Sequence, residues 1–194
     1  MRQARQQDNV YSLSFGLGWL GFMLREAGRL EEAEHALLEA IPLNDRFRPD
    51  VWVRCNLSAV YSRQGRLPEA RNLLDEARAK AGLQPGFEDE LRLQTAEARL
   101  AVAEKRPAEA LAAYEAVAQA RGRMGFRWDR ACTLREWAEA YLSRRSSPSG
   151  NNEPGDRERA LALLREALSE FEAMDAPGWA AQVSERLREV EGAK

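Results

Sequence analysis

The chain has 194 residues, of which 31% are charged, and a formal net charge of −2. That balance gives no global attraction to nucleic acid or to anionic lipid, so neither is expected as a partner. No apolar run approaches the ~18 residues of a membrane span, and the N-terminal MRQARQQDN has no apolar core of a secretion signal, so a cytoplasmic protein without a membrane partner is expected. The composition is dominated by Ala, Leu, Glu and Arg, the strongest helix formers, which predicts an all-α fold.

The first helix pair is predicted over 10–27 and 30–43. Leu13, Leu17, Leu20, Gly21 and Leu24 form the apolar stripe of its first helix; Ala33, Leu37, Ala40 and Ile41 form that of its second. These steps of three and four give one buried face per helix. Between the two lies Gly28-Arg29-Leu30-Glu31-Glu32-Ala33, whose glycine suits a left-handed helix end. The second pair, 49–64 and 67–81, repeats the pattern with Val51, Leu57, Ser58 and Tyr61, then Ala70, Leu74 and Ala77, around Gly65-Arg66-Leu67-Pro68-Glu69-Ala70. A third pair, 88–104 and 107–121, surrounds the degraded copy Lys105-Arg106-Pro107-Ala108-Glu109-Ala110. The fourth, 127–145 and 156–174, surrounds Gly155-Asp156-Arg157-Glu158-Arg159-Ala160.

The copies are 37, 40 and 50 residues apart, and the last step contains the insertion Ser146–Glu153, SSPSGNNE. The predicted repeats are 10–47, 48–84, 87–124 and 126–175, with the inserted loop at 145–155. Gly21, Ser58, Ala98 and Ala138 mark where the two helices of each pair approach closely. A final helix over 178–191 turns Trp179, Val183, Leu187 and Val190 inward. It turns Gln182, Glu185, Arg186 and Glu189 outward, as an end cap does.

This register resembles the tetratricopeptide repeat family over roughly residues 10–175. Leu17, Leu20, Gly21, Leu24, Ala33, Leu37 and Ala40 stand at its packing positions in the first copy. Leu57, Ser58, Tyr61, Ala70, Leu74 and Ala77 do so in the second, and Trp137, Ala138, Tyr141, Ala160, Leu164 and Ala167 in the fourth. The third matches at Ala98, Ala101, Ala110 and Tyr114 but has Glu97 where an apolar residue is usual. The resemblance implies a right-handed α-solenoid of four hairpins plus the capping helix, in one domain. It further implies a non-catalytic scaffold that holds a protein or peptide in its concave groove.

The steps exceed the 34 residues of the ordinary repeat. In this the chain, and especially Trp137–Met174, resembles arrays C-terminal to bacterial signalling ATPases. These include maltose-activator-like regulators with LuxR-type DNA-binding ends, and ATPase-linked adenylate cyclases. The alternative function is therefore a sensor or spacer segment of such a protein, although the chain has no ATPase, cyclase or helix-turn-helix segment of its own.

The sequence shows no catalytic constellation. The one histidine, His35, has no second histidine or nearby cysteine to complete a metal site. The glycines between Gly16 and Gly21 follow no strand, so they do not form a nucleotide loop. Cys55 and Cys132 have no metal-ligand spacing and fit reduced thiols. No enzyme activity, metal or cofactor is expected.

By the resemblance, the first helix of each pair lines the groove, which places Phe15, Trp19 and Phe22, then Trp52, Asn56 and Arg63, then Arg92 and Arg99, then Arg135 as partner-binding residues. The family's clamp for a terminal carboxylate is missing, since its places hold Gly18/Phe22, Cys55/Ala59, Thr95/Arg99 and Arg135/Glu139. An aromatic end beside arginines suits an amphipathic or extended segment with an acidic flank. Two other readings stay open: Trp19 and Phe22 as packing against the N-terminal segment or another repeat, and the arginines as ordinary surface charge. The exposed aromatic end also predicts a weak homodimer through the first pair.

Overall fold

The computed structural model describes residues 2–45, 51–83, 85–145 and 155–192, and these are all-α, with no strand among them. The chain divides into two compact units, Met1–Glu104 and Lys105–Lys194, each taken by itself below. Unit 1 holds α1 (Arg2–Glu26), α2 (Leu30–Asn44), α3 (Val51–Arg63), α4 (Leu67–Ala81) and α5 (Phe87–Ala103). Unit 2 holds α6 (Pro107–Met124), α7 (Arg127–Arg145), α8 (Asp156–Ala173) and α9 (Pro177–Gly192). The predicted insertion Ser146–Glu153 lies outside the described residues. The first predicted helix starts earlier than expected, at Arg2, because its polar leader of Arg, Gln and Ala is itself helix-forming.

The repeated turn is a double backbone clasp. Gly28 has φ +76° and Gly65 has φ +78°. The amide of Arg29 donates to the Leu24 carbonyl at 2.9 Å, and that of Arg66 to the Tyr61 carbonyl at 2.9 Å. These are the closing bonds of a Schellman helix end, which requires a left-handed residue. In the third copy Lys105 takes that conformation, with φ 59°, so the turn survives loss of its glycine at the cost of strain. Each turn is further pinned by a pair three residues apart: Arg29 to Glu32, Arg66 to Glu69 and Arg106 to Glu109. The fourth copy reverses the charges, with Arg159 3.6 Å from Asp156.

Unit 1 is built around α3, which packs against α2, α4 and α5 and has every residue from Val53 to Tyr61 buried. The predicted stripes Ala33, Leu37 and Ala40, and Ala70, Leu74 and Ala77, meet it in one core. In unit 2, Ala138, Ala160, Leu164, Ala167 and Phe171 form the core, and α9 closes it with Val183, Leu187 and Val190 as expected of the cap. The stripe of α1 departs from expectation. Leu13 and Leu20, predicted to be packed, stand half exposed, because the flank of α1 that carries them faces no other described helix.

The close approach at Gly21 is tight. A Cβ built there would lie 2.4 Å from Leu37 Cγ. Gly21→Ala would gain about 1 kcal/mol of helix propensity but would overpack a full core, at a cost of roughly 1–3 kcal/mol. The expected result is a lower midpoint in urea unfolding. A higher midpoint would show that Leu37 can swing aside.

Between hairpins, Arg54 is buried and its guanidinium donates two bonds to Asp45, at 2.9 and 2.6 Å; Lys80 adds a third at 3.1 Å. These bonds, Arg54's foremost, hold the Asp45 carboxyl below the usual carboxylate range. A depressed folded value gives stabilisation that is complete above the unfolded pKa of about 3.9 and is lost as pH falls through the folded value. Urea unfolding of Asp45→Asn should therefore show a flatter dependence on pH below about pH 4 than the parent chain. Parallel curves would show that the pair contributes nothing.

Candidate functional site

Phe15, Trp19 and Phe22 follow one another on α1 at helical spacing, and α3 adds Trp52 from the neighbouring hairpin. Ring centroids lie 6.1 Å apart for Phe15 and Trp19, 5.6 Å for Trp19 and Phe22, 5.2 Å for Trp19 and Trp52, and 6.4 Å for Phe22 and Trp52. Trp52 can lie there because residue 18 is glycine: a Cβ at that position would sit 2.9 Å from Trp52 Cζ3. Phe22 is the floor of the cluster and is buried. Trp52 is half buried, whereas Trp19 is 39% and Phe15 54% exposed. The result is an aromatic shelf with a buried base and open edges.

A charged network underpins the shelf. Arg25 is buried, with its guanidinium carbon 5.1 Å from the Phe22 ring centroid. It donates to Asn56 Oδ1 at 2.8 Å and to Glu26 Oε1 at 2.6 Å. Asn56 in turn donates to the Trp52 carbonyl at 2.8 Å, and Arg63 donates to the Arg25 carbonyl at 2.6 Å. The network ties α1 to α3 directly beneath the rings.

This placement corrects part of the expected site. Asn56 is 3% exposed, and its amide is engaged on both sides, so it supports the shelf from within. Arg63 is directed at the end of α1, with Glu26 3.9 Å away. Arg92 is paired with Asp89 and Glu88 of its own helix, each at 2.8 Å. The resemblance placed arginines along the groove, but carboxylates one turn earlier on α5 neutralise Arg92. Arg92 and the half-buried Arg99 lie near enough to Cys55 for their charge to act on its thiol; burial nevertheless dominates and pushes that thiol up to about 12. Cys55 is thus inert as a nucleophile.

Arg135 belongs to unit 2, where its guanidinium stacks 4.9 Å from the Trp179 ring centroid. Trp179 is part of a second aromatic group with Trp128 and Phe171, all three centroid distances being 5.4–5.6 Å. Phe171 is fully buried, so this group is chiefly the joint between α7, α8 and α9. It was legible only in part: Trp179 stood on the predicted inner face of the cap, but nothing in its spacing named Trp128.

Among the described residues no helix is long and apolar enough to cross a membrane, and no group of three or more His, Cys, Asp or Glu side chains is placed to hold a metal. His35 is exposed on α2.

Stacked helix hairpins with a closing helix define an all-α repeat protein, the class of scaffold that presents extended surfaces to other proteins. Residues 14–82, covering the first two hairpins, match the tetratricopeptide repeat family and are repeats of that type. Among solved structures, the chain is similar to BtubC (BKLC) from P. vanneervenii, with 15% identity, a TM-score of 0.48 and coverage of 98% of this chain and 90% of that one. It is also similar to a putative kinesin light chain with nearly identical TPR-like repeats from Podosopora anserina, with 17% identity, a TM-score of 0.45 and coverage of 91% and 93%. A third is MamA (MSR-1), with 18% identity, a TM-score of 0.42 and coverage of 92% and 96%. No curated protein matches the chain in sequence.

Proposed function

We propose that the chain is a non-catalytic interaction scaffold and that the shelf of Phe15, Trp19 and Trp52 seats an apolar anchor of a partner protein or peptide. The observation that carries this reading is the exposure of Phe15 and Trp19 on a base that is itself rigidly held. Two large rings left half open to water cost free energy in the isolated chain, yet the Arg25–Asn56 network and Gly18 keep them in place. Preorganised aromatic surface of this kind is what interface hot spots are made of. Because the nearby arginines are paired, the anchor's apolar side chains carry recognition, and the acidic flank contributes little.

Selection from a random peptide display library on the immobilised chain tests this. Peptides sharing a large apolar anchor should be enriched, and Trp19→Ala should release them. Enrichment of no sequence, or retention of the same peptides by Trp19→Ala, would refute the reading.

A further inference from the structure

The half-exposed flank of α1 opposite Phe15 follows from comparing equivalent positions along the repeats. In the common register Leu13 corresponds to Glu90 and Arg130, and Leu20 to Leu57, Glu97 and Trp137. In unit 1 the positions face the preceding return helix. Leu57 is fully buried, and Glu90 and Glu97 both reach Arg78 of α4. In unit 2, Arg130 lies between the helices: it pairs with Glu166 and, at 3.1 Å, with Glu170 of α8, and its Nε is 3.2 Å from where a Cβ of Gly122 in α6 would be. Met23 corresponds to Val60, Leu100 and Ala140, all buried, but is itself 48% exposed. The flank of α1 is therefore a hairpin-stacking face that no other helix of unit 1 covers among the described residues.

Its chemistry selects the occupant. From Asn9 to Leu24 the sequence carries no charged residue for 16 positions, its longest such run. Charged partners would be desolvated there without compensation. The outward face of α9 carries Gln182, Glu185, Arg188 and Glu189, so head-to-tail stacking of copies would bury charge against leucine. The same flank of a second copy is apolar and uncharged, and it complements itself. Leu13, Gly16, Leu20 and Met23, at steps of three and four, form the seam along which two helices interlock, while Leu17 and Leu24 pack on the unit 1 core. Pairing in opposite directions sets Leu13 of one copy on Leu20 of the other and the reverse, as a two-fold contact demands. Gly16 then falls beside the axis. No atom lies within 4 Å of the position its Cβ would occupy, so the helices can approach closely there.

We infer that this flank joins two copies of the chain, α1 against α1 in antiparallel fashion. Leu13 and Leu20 lie roughly 140–160° around α1 from Phe15, so replacing them should weaken pairing while peptide binding is retained.

Sedimentation equilibrium of the full chain tests the pairing over roughly 1–100 µM, the range of micromolar association. The parent should approach twice its 21.9 kDa mass at the top of the range and fall toward the single mass on dilution. Leu13→Glu/Leu20→Glu introduces the residues the third hairpin already carries there, and should associate more than tenfold more weakly with unchanged circular dichroism. Gly16→Glu, pointing into open space, is a second variant with the same expectation. Gly16→Cys should form an intermolecular disulfide on oxidation, while Glu185→Cys on α9 should not. A parent that stays at the single mass throughout, a folded variant that still pairs, or cross-linking through Glu185→Cys and not Gly16→Cys would each overturn the inference.

Discussion

Replacing Arg25 by methionine is expected to destabilise unit 1 by roughly 3–5 kcal/mol, the cost of breaking a buried ion pair from one side. Arg25 is 1% exposed and bonds Asn56 at 2.8 Å and Glu26 at 2.6 Å, and the side chain of Glu26 is itself only 4% exposed. Methionine can fill much of the volume, so the loss is electrostatic: the buried Glu26 carboxylate loses its 2.6 Å partner, with Arg63 3.9 Å away. Asn56 loses the donor to its carbonyl oxygen at the same time, an unsatisfied buried group worth about 1–3 kcal/mol. The double change Arg25→Met/Glu26→Gln should recover part of the loss, since removing both charges costs less than stranding one. Urea unfolding of the parent and both variants measures this. A single-variant loss under about 1 kcal/mol would mean that water reaches the network and that it does not hold α1 to α3.

The repeats were legible because they rest on local chemistry. A glycine or its substitute at each left-handed turn, small residues at each close approach and a three-four apolar stripe are all written along the chain. Gly28, Gly65, Gly21 and Ser58 take the parts their residue types suggested; the Ser58 hydroxyl even donates to the Ala70 carbonyl across its hairpin, at 2.8 Å. The aromatic shelf was legible for the same reason, since three of its rings follow helical spacing on α1. What the sequence concealed depends on partners distant along the chain. Nothing in the spacing marks Arg25 as buried, and its partner Asn56 lies 31 residues away. Leu13 and Leu20 carry the right side chains for a core, but burial needs a neighbour on that flank. Arg92 is the local exception: it looked like part of a basic patch, and Glu88 and Asp89, within one turn of the same helix, pair with it.

Trp19→Ala separates a binding surface from a packing one. The Trp19 ring touches Phe15, Phe22 and Trp52, but 39% of the residue is open, so truncation exposes neighbours more than it opens a sealed cavity. Its cost in stability should stay near 1–2 kcal/mol, below the roughly 3–5 kcal/mol of removing a fully buried aromatic. Its cost in affinity for a selected peptide should reach about 2 kcal/mol or more, the threshold of a hot spot, which is a loss near thirtyfold. Phe22→Ala supplies the contrast: its ring is buried under the shelf and over Arg25, so stability should fall first, with binding lost through collapse of the shelf. Titration calorimetry against the peptide, paired with urea unfolding, reads both quantities. Binding unchanged in Trp19→Ala while stability falls would make the ring part of the hairpin joint alone. Binding lost at nearly full stability would show that the fold holds Trp19 half out of the core for a partner to cover.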